Sequence, residues 1–330
     1  KHNGMKFPES LLFLAERAGI TLPAKFSNGQ DEDVKNPLYK VNSHFAEFYN
    51  KKLMSSGIAK TVKKYVEDRG INENFIKKFQ IGYSPHSWNA AIIEANAQKI
   101  ETEALEQVGL ILQKKKGAGF YDRFRDRLMF PICDEFGNVV GFGARTLENE
   151  NSQPKYINSP ESKIFSKRRV LYGLNFAKNS IVKRREIILM EGYTDVIMAH
   201  QYGIDWAVGV MGTSLTSEHV NLVKKYCNNV VLVLDSDAAG LKSADRSADL
   251  FIENGLDVKI VQLPEEYDPC DFIISKGKDS FLCQIKEASD FYDFKLRIAQ
   301  MNGNLTTVSD KAKTFHEILL TAMKNPDIIK

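Results

Sequence analysis

Long apolar runs are missing from this chain of 330 residues. None approaches the roughly 20 residues that a membrane span needs. No stretch has the pattern of a secretory leader. Cysteine is scarce: Cys133, Cys227, Cys270 and Cys283 lie far apart, with no CxxC or CxxH spacing. That argues against a zinc site within the chain and predicts buried free thiols in a reducing, cytoplasmic setting. An initiating methionine is also missing, and the opening KHNGMKFPES predicts a piece cut from something longer.

What remains is ordinary globular composition, 43% hydrophobic and 26% charged, enough for two or three domains and a substantial core. The formal net charge of +3 hides an asymmetry. Between Gln113 and Arg185 there are 16 Lys and Arg against 7 Asp and Glu, so this segment carries +9 and the rest −6. A solvated basic face is the plain explanation. The alternation of basic residues with aromatics and asparagines in this segment favours a nucleic-acid surface.

The apolar pattern predicts helices over 6–19, 42–56, 59–70 and 72–82, with a polar linker over 20–38 and mostly helix over 87–113. From residue 120 the texture becomes β-rich. Strands over Leu128–Ile132 and Val139–Phe142 flank Asp134-Glu135-Phe136-Gly137-Asn138, a tight-turn sequence, and predict an antiparallel hairpin. Residues 154–174 read as irregular surface. From Glu186 strands and helices alternate. Strands are expected over 187–190, 206–210, 230–234 and 258–263, with helices over 194–201, 217–227 and 241–253. Such β-α-β repetition implies a mostly parallel sheet. The rest is helical, with a break at Asn302-Gly303-Asn304.

Chemistry concentrates at the ends of the parallel strands. Ile187–Met190 stops at Glu191 and Gly192, and Val230–Leu234 runs into Asp235 and Asp237. Both runs read as strands buried on two faces, whose working groups sit past their carboxyl ends. Three carboxylates on one rim repel unless cations bind them. Oxygen donors with no cysteine or histidine adjacent suit Mg²⁺ or Mn²⁺. DSDAAG at 235–240 fails as an EF-hand loop, because Arg246 stands where the twelfth-position acid belongs. It also departs from the dehalogenase-type phosphatase pattern, with Ala239 in place of Thr or Val. A solvated turn would not need both aspartates. YDPCD at 267–271 adds Asp268 and Asp271 to the same sheet edge. MGTSL at 211–215 offers Gly212, Thr213 and Ser214 at a helix start, for a phosphate or for capping alone.

The order EGYTD, GTS, DSDAAG, DPxD on successive β-α units resembles the Toprim domain of bacterial primases, topoisomerases and some nucleases. The preceding FYDRFRDRLMFPICDEFGNVVGFGAR, PKYINSPES and LYGL resemble the catalytic core of DnaG-type bacterial replicative DNA primase. The resemblance runs from about Phe45 to Phe281 and is strongest through 120–275. It implies an α/β fold, α+β overall. A mixed basic subdomain over 1–180 would bind template, a Toprim metal-binding catalytic domain would occupy 181–283, and a truncated helical piece 284–330. The family's zinc ribbon and helicase-binding domain would lie outside this fragment.

The resemblance implies synthesis of short RNA primers from NTPs on single-stranded DNA with Mg²⁺, for which Mn²⁺ can substitute. Replicative helicase and single-strand binding protein would engage the missing parts, no membrane is involved, and the core is expected to be a monomer. Glu191, Asp235 and Asp237 match the catalytic and metal-binding acids, and Asp268 the first aspartate of a DPD element. Here Cys270 stands at the second, leaving Asp271 as substitute. Asp195 would hold the loop or a metal-bound water, and Gly192, Gly212, Thr213 and Ser214 would support the site. Arg123, Arg125 and Arg127, two apart on an expected strand, share one face. Arg145, Lys155, Asn158 and Lys167 extend it, holding phosphates without reading bases. Tyr156, Phe124 or Phe142 could stack bases, with burial the competing assignment for the phenylalanines.

Two other classes share these features. A Toprim nuclease or topoisomerase would use the same acids, but a topoisomerase needs a nucleophilic tyrosine on a further domain. A non-catalytic DNA-binding module would have no use for Glu191, Asp235, Asp237 and Asp268 together.

Overall fold

A computed structural model describes residues 11, 29–55, 59–115, 117–147, 154–212, 215–233, 238–264, 266–301 and 306–323. The helix expected over 6–19, residue 11 apart, and the break at 302–304 lie outside them. The chain divides into two compact units, Lys1–Val170 and Leu171–Lys330. Residues 180 and 283, where boundaries are expected, lie in the helices Leu174–Arg184 and Pro269–Lys286. Among the described residues no helix is long and apolar enough to cross a membrane.

In the first unit α1 runs from Gly29 to Met54, with Pro37 inside it. The sequence predicts a linker there. Leu38, Val41, Phe45, Tyr49 and Leu53 bury one stripe at helical spacing while Pro37 stays exposed, so packing overrides the local breaker. Four short helices follow: α2 (Ala59–Asp68), α3 (Glu73–Lys78), α4 (Ala90–Ala97) and α5 (Thr102–Gln107). An antiparallel sheet packs on α1. Its strands are β1 (Gly82–Ser84), β4 (Arg127–Cys133), β5 (Val139–Thr146) and β6 (Tyr156–Asn158), in that order. Gly82 lets β1 approach α1, because a Cβ there would lie 2.5 Å from Tyr49 Cβ. β4 and β5 form the expected hairpin, with Asp134 Oδ1 accepting from the Phe136 and Asn138 amides. β2 (Ile111–Gln113) and β3 (Phe120–Asp122) make a separate antiparallel pair. β2 and β6 occupy stretches expected to be helical and irregular.

The second unit carries α6 (Leu174–Arg184), β7 (Glu186–Met190), α7 (Tyr193–Gln201), β8 (Ala207–Gly209) and α8 (Ser217–Lys224). It continues with β9 (Asn229–Val233), α9 (Ala238–Ile252), β10 (Asp257–Val261) and α10 (Pro269–Lys286). β11 (Ser289–Asp290), α11 (Phe291–Met301) and α12 (Val308–Met323) complete it. The five strands are ordered β11-β10-β9-β7-β8. β7, β8, β9 and β10 are parallel, as the β-α-β alternation predicts, and β11 is antiparallel to β10. Ile187–Met190 and Val230–Val233 are buried throughout. The strand order reverses between β7 and β9. In open α/β sheets ligands bind at the carboxyl ends of the strands flanking such a reversal.

Candidate functional site

The second unit builds an acidic rim at that edge. Glu191 follows β7 and is half-buried. Gly192 then caps α7, and its N–H donates to Asp195 Oδ2 at 2.9 Å. Asp195, in the first turn, is 7% exposed. A carboxylate is favoured at this helix end by the backbone amides and the helix dipole. The next contribution comes from α10, which packs on α7. Asp268 is its N-cap and Pro269 its first residue, and the Asp271 amide donates to Asp268 Oδ1 at 2.7 Å. Pro at this position has no amide to leave unpaired. The capping arrangement brings together one donor atom each of Asp195, Asp268 and Cys270, all within 4.8 Å of one another.

Asp271 departs from its expected position. Its backbone serves the cap, its carboxylate is exposed, and it does not join that three-residue grouping. The structure instead brings Cys270 beside Asp195 and Asp268. Asp235 and Asp237, which follow β9 in sequence, lie outside the described residues, as do Thr213 and Ser214. Gly212 is described, with φ +69°. The capping considered for the hydroxyls of MGTSL is performed by Thr216, whose side chain accepts from the His219 amide at the start of α8.

The donor set fits divalent cations. Two carboxylates and a sulfur lie close together, with Glu191 directly after β7 at the same edge. Hard cations take carboxylate oxygens, and a thiolate adds a softer donor.

The first unit holds the basic residues. Arg123, Arg125 and Arg127 do line one cavity, of about 420 Å³, with Trp88, Asp126 and Pro154. Strand alternation is not the reason. β3 ends at Asp122, Asp126 has φ +50°, and β4 begins only at Arg127. A turn gathers the three arginines. Arg127 is buried, donating to the carbonyls of Ala144 and Pro154, so it ties the 154–158 segment to the sheet. Arg123 donates to the Asn158 carbonyl at 2.9 Å, and burial pulls its pKa downward, though a guanidinium stays charged. Asn158 lies in edge strand β6 and is half-buried. Arg145 is buried against the rings of Tyr65 and Tyr156 and donates to the Tyr156 hydroxyl. Lys155 is exposed and Lys167 half-exposed. Phe124 and Phe142 are core residues with no exposure, so neither presents a ring to a base.

Trp88 is the surface aromatic that the sequence reading missed. It is 64% exposed, with the Arg125 guanidinium 4.1 Å from its ring centroid and Tyr121 stacked obliquely at 5.7 Å. Asp122 fixes this platform from beneath. Its amide donates to the Trp88 carbonyl, its Oδ2 accepts from the Ala91 amide, and its carbonyl accepts from Arg125. Burial raises the Asp122 carboxyl pKa, and the amides at the start of α4 oppose that rise. The available signal was YDRFR, which sets Tyr121 and Arg125, two partners for a surface ring, in one short stretch.

Residues 48–178 match the family described as DNA primase catalytic core, N-terminal domain, and residues 188–273 the family described as Toprim-like. The DNA primase of Clostridium acetobutylicum is 38% identical over 308 residues, covering 92% of this chain and 50% of the relative. The chain thus spans about half the length of the curated relatives it matches. Among solved structures, a DnaG primase catalytic domain bound to single-stranded DNA is 31% identical, with a TM-score of 0.79, covering 88% of this chain and 94% of that one. A DNA primase domain from Pseudomonas aeruginosa is 32% identical, with a TM-score of 0.80, covering 88% and 91%.

Proposed function

From the premise that the chain belongs to the DNA primase family, as its catalytic core with a Toprim domain, we propose that it synthesises short RNA primers on single-stranded DNA. A primer 3′-hydroxyl attacks the α-phosphate of an incoming NTP, and pyrophosphate leaves. The observation that carries this reading is the convergence of Asp195 and Asp268 at the carboxyl edge where Glu191 follows β7.

Glu191, Asp235, Asp237 and Asp268 are the residues we assign to hold divalent cations, Mg²⁺ with Mn²⁺ able to substitute. Such cations neutralise charge on the attacking and leaving oxygens. Asp195 holds the Gly192 amide and so fixes the loop on which Glu191 stands. Asp271 acts through its backbone, fixing Asp268. Gly212, Thr213 and Ser214 are assigned to a nucleotide phosphate.

We assign template and primer binding to the basic unit. Lys155, Lys167 and Arg125 meet phosphates, Trp88 offers a face for base stacking, and Arg123, Arg127, Arg145 and Asn158 shape the surface from behind. The domain roles follow: the basic unit binds DNA and the parallel-sheet unit carries the chemistry. The setting is the cytoplasmic replication fork. The core works as a monomer, and replicative helicase and single-strand binding protein are engaged by parts of the primase other than this core.

Nucleotide incorporation on single-stranded DNA with Mg²⁺ or Mn²⁺, beside Asp237→Ala, tests the proposal. Short RNA products that vanish in the variant support it. Metal-dependent nicking of the template without synthesis would replace it with the nuclease reading.

A further inference from the structure

Resting on the cation site just proposed, we infer that Cys270 gives the acidic rim a second binding mode, for a thiophilic divalent ion such as Zn²⁺ or Cd²⁺. The ligands are Cys270 Sγ and one carboxylate oxygen each of Asp195 and Asp268.

The three donor atoms lie within 4.8 Å of one another. Ligand atoms around a tetrahedral zinc, at its usual Zn–S and Zn–O bond lengths, stand about 3.5 Å apart. The donors must therefore close by up to about 1 Å to bind. The backbone that carries them is well fixed. Asp195 is tied to the Gly192 amide, Asp268 to the Asp271 amide, and the two helices pack together. Cys270 and Asp195 are 9% and 7% exposed, so a bound ion would exchange much of its water for protein donors.

The donor chemistry sets the selectivity. An all-oxygen set suits Mg²⁺ and Mn²⁺, whereas a thiolate adds affinity for zinc and cadmium and nothing comparable for magnesium. Among the described residues this is the only grouping of three such donors, and the other cysteines, Cys133, Cys227 and Cys283, stand outside it. A soft ion held here occupies Asp268, which the polymerising site also uses, so the two modes exclude each other. Zinc then inhibits the chain by competing with Mg²⁺.

The test is a Cd²⁺ titration of the whole chain without Mg²⁺, following the ultraviolet sulfur-to-cadmium charge-transfer band. The original sequence and Cys283→Ser, which removes the exposed thiol, should show the band saturating at one equivalent. Cys270→Ser should lose it. Asp268→Asn should keep it with affinity at least about tenfold weaker, the lower bound for disturbing even the partners of a metal ligand. Cys270→Asp, which restores an all-oxygen set, should lose the band and bind Mn²⁺ more tightly. A band that survives in Cys270→Ser, or unchanged Cd²⁺ affinity in Asp268→Asn, would overturn the inference. The band reports the thiolate directly. Its presence in a chain that makes no primers would support this inference while counting against the polymerase reading.

Discussion

Asp195 Oδ2 lies 2.9 Å from the Gly192 amide, and a Cβ on residue 192 would stand 2.6 Å from that same oxygen. The glycine of EGYTD therefore leaves room for the carboxylate of its aspartate at this amide. Backbone φ is −107° there, so left-handed geometry is not the reason.

Gly192→Ala should push Asp195 off its amide. A lost cap costs about 1 kcal/mol, and the melting temperature and Mn²⁺ affinity should fall together. Asp195→Asn retains an oxygen that accepts the same amide. It should melt close to the original chain yet bind Mn²⁺ more weakly. Thermal melts beside Mn²⁺ titrations separate the two, and equal loss of stability in both variants would count against this division.

Glu191→Gln and Asp235→Asn should abolish synthesis while leaving DNA affinity nearly intact. Losing a cation ligand removes several kcal/mol of transition-state stabilisation, at least about a hundredfold in rate. Parallel incorporation assays and DNA titrations check this. Equal loss of both activities would sink the assignment of roles.

The basic unit should divide into contacts and supports. Trp88→Ala should weaken single-stranded DNA binding by about 1–3 kcal/mol with little change in salt dependence. Arg125→Ala or Lys167→Ala should reduce the slope of log affinity against log salt by about one. Arg127→Ala should act mainly on stability, because it strips donors from two carbonyls at a buried position. A salt series on each variant, with melts alongside, decides the matter.

Stability should decline in alkali through buried thiols. Burial pushes the Cys227 thiol from 9.0 to about 12, and Cys133 likewise. Between those values the unfolded chain has released protons that the folded chain retains. Stability is therefore full below about pH 9 and falls as pH rises toward 12. Cys227→Ala should start from a lower melting temperature and lose less of it between pH 9 and 11. Parallel curves for the two proteins would remove Cys227 as a cause.

The parallel sheet was legible because strands buried on both faces need continuous apolar runs, and Ile187–Met190 and Val230–Val233 are such runs. The start of α1 was not. Pro37 and the acidic run before it read as linker, and only the stripe from Leu38 to Leu53 overrides them. The arginine triplet was legible as a cluster but not as a geometry, since the left-handed turn at Asp126 replaces the strand that spacing predicts. Residue type alone favours Asp271 over Cys270, because a carboxylate is the better ligand for a hard cation. In a helix cap, however, the amide of the third residue turns back to the capping side chain. Trp88 stayed hidden because its partners Tyr121 and Arg125 come from a distant part of the chain.

The cores of the two strands that run into the acidic residues, Ile187–Met190 and Val230–Val233, are short, uncharged and apolar, the kind of segment that pairs readily with another chain. Their protection lies at the sheet's two margins. On one side the two-residue β11 runs against β10, and on the other a single bridge between Tyr172 and Gly209 covers part of three-residue β8. Neither margin offers a long, flat row of open amides and carbonyls to a neighbouring molecule. Margins this short leave little edge on which a strand from another copy could pair.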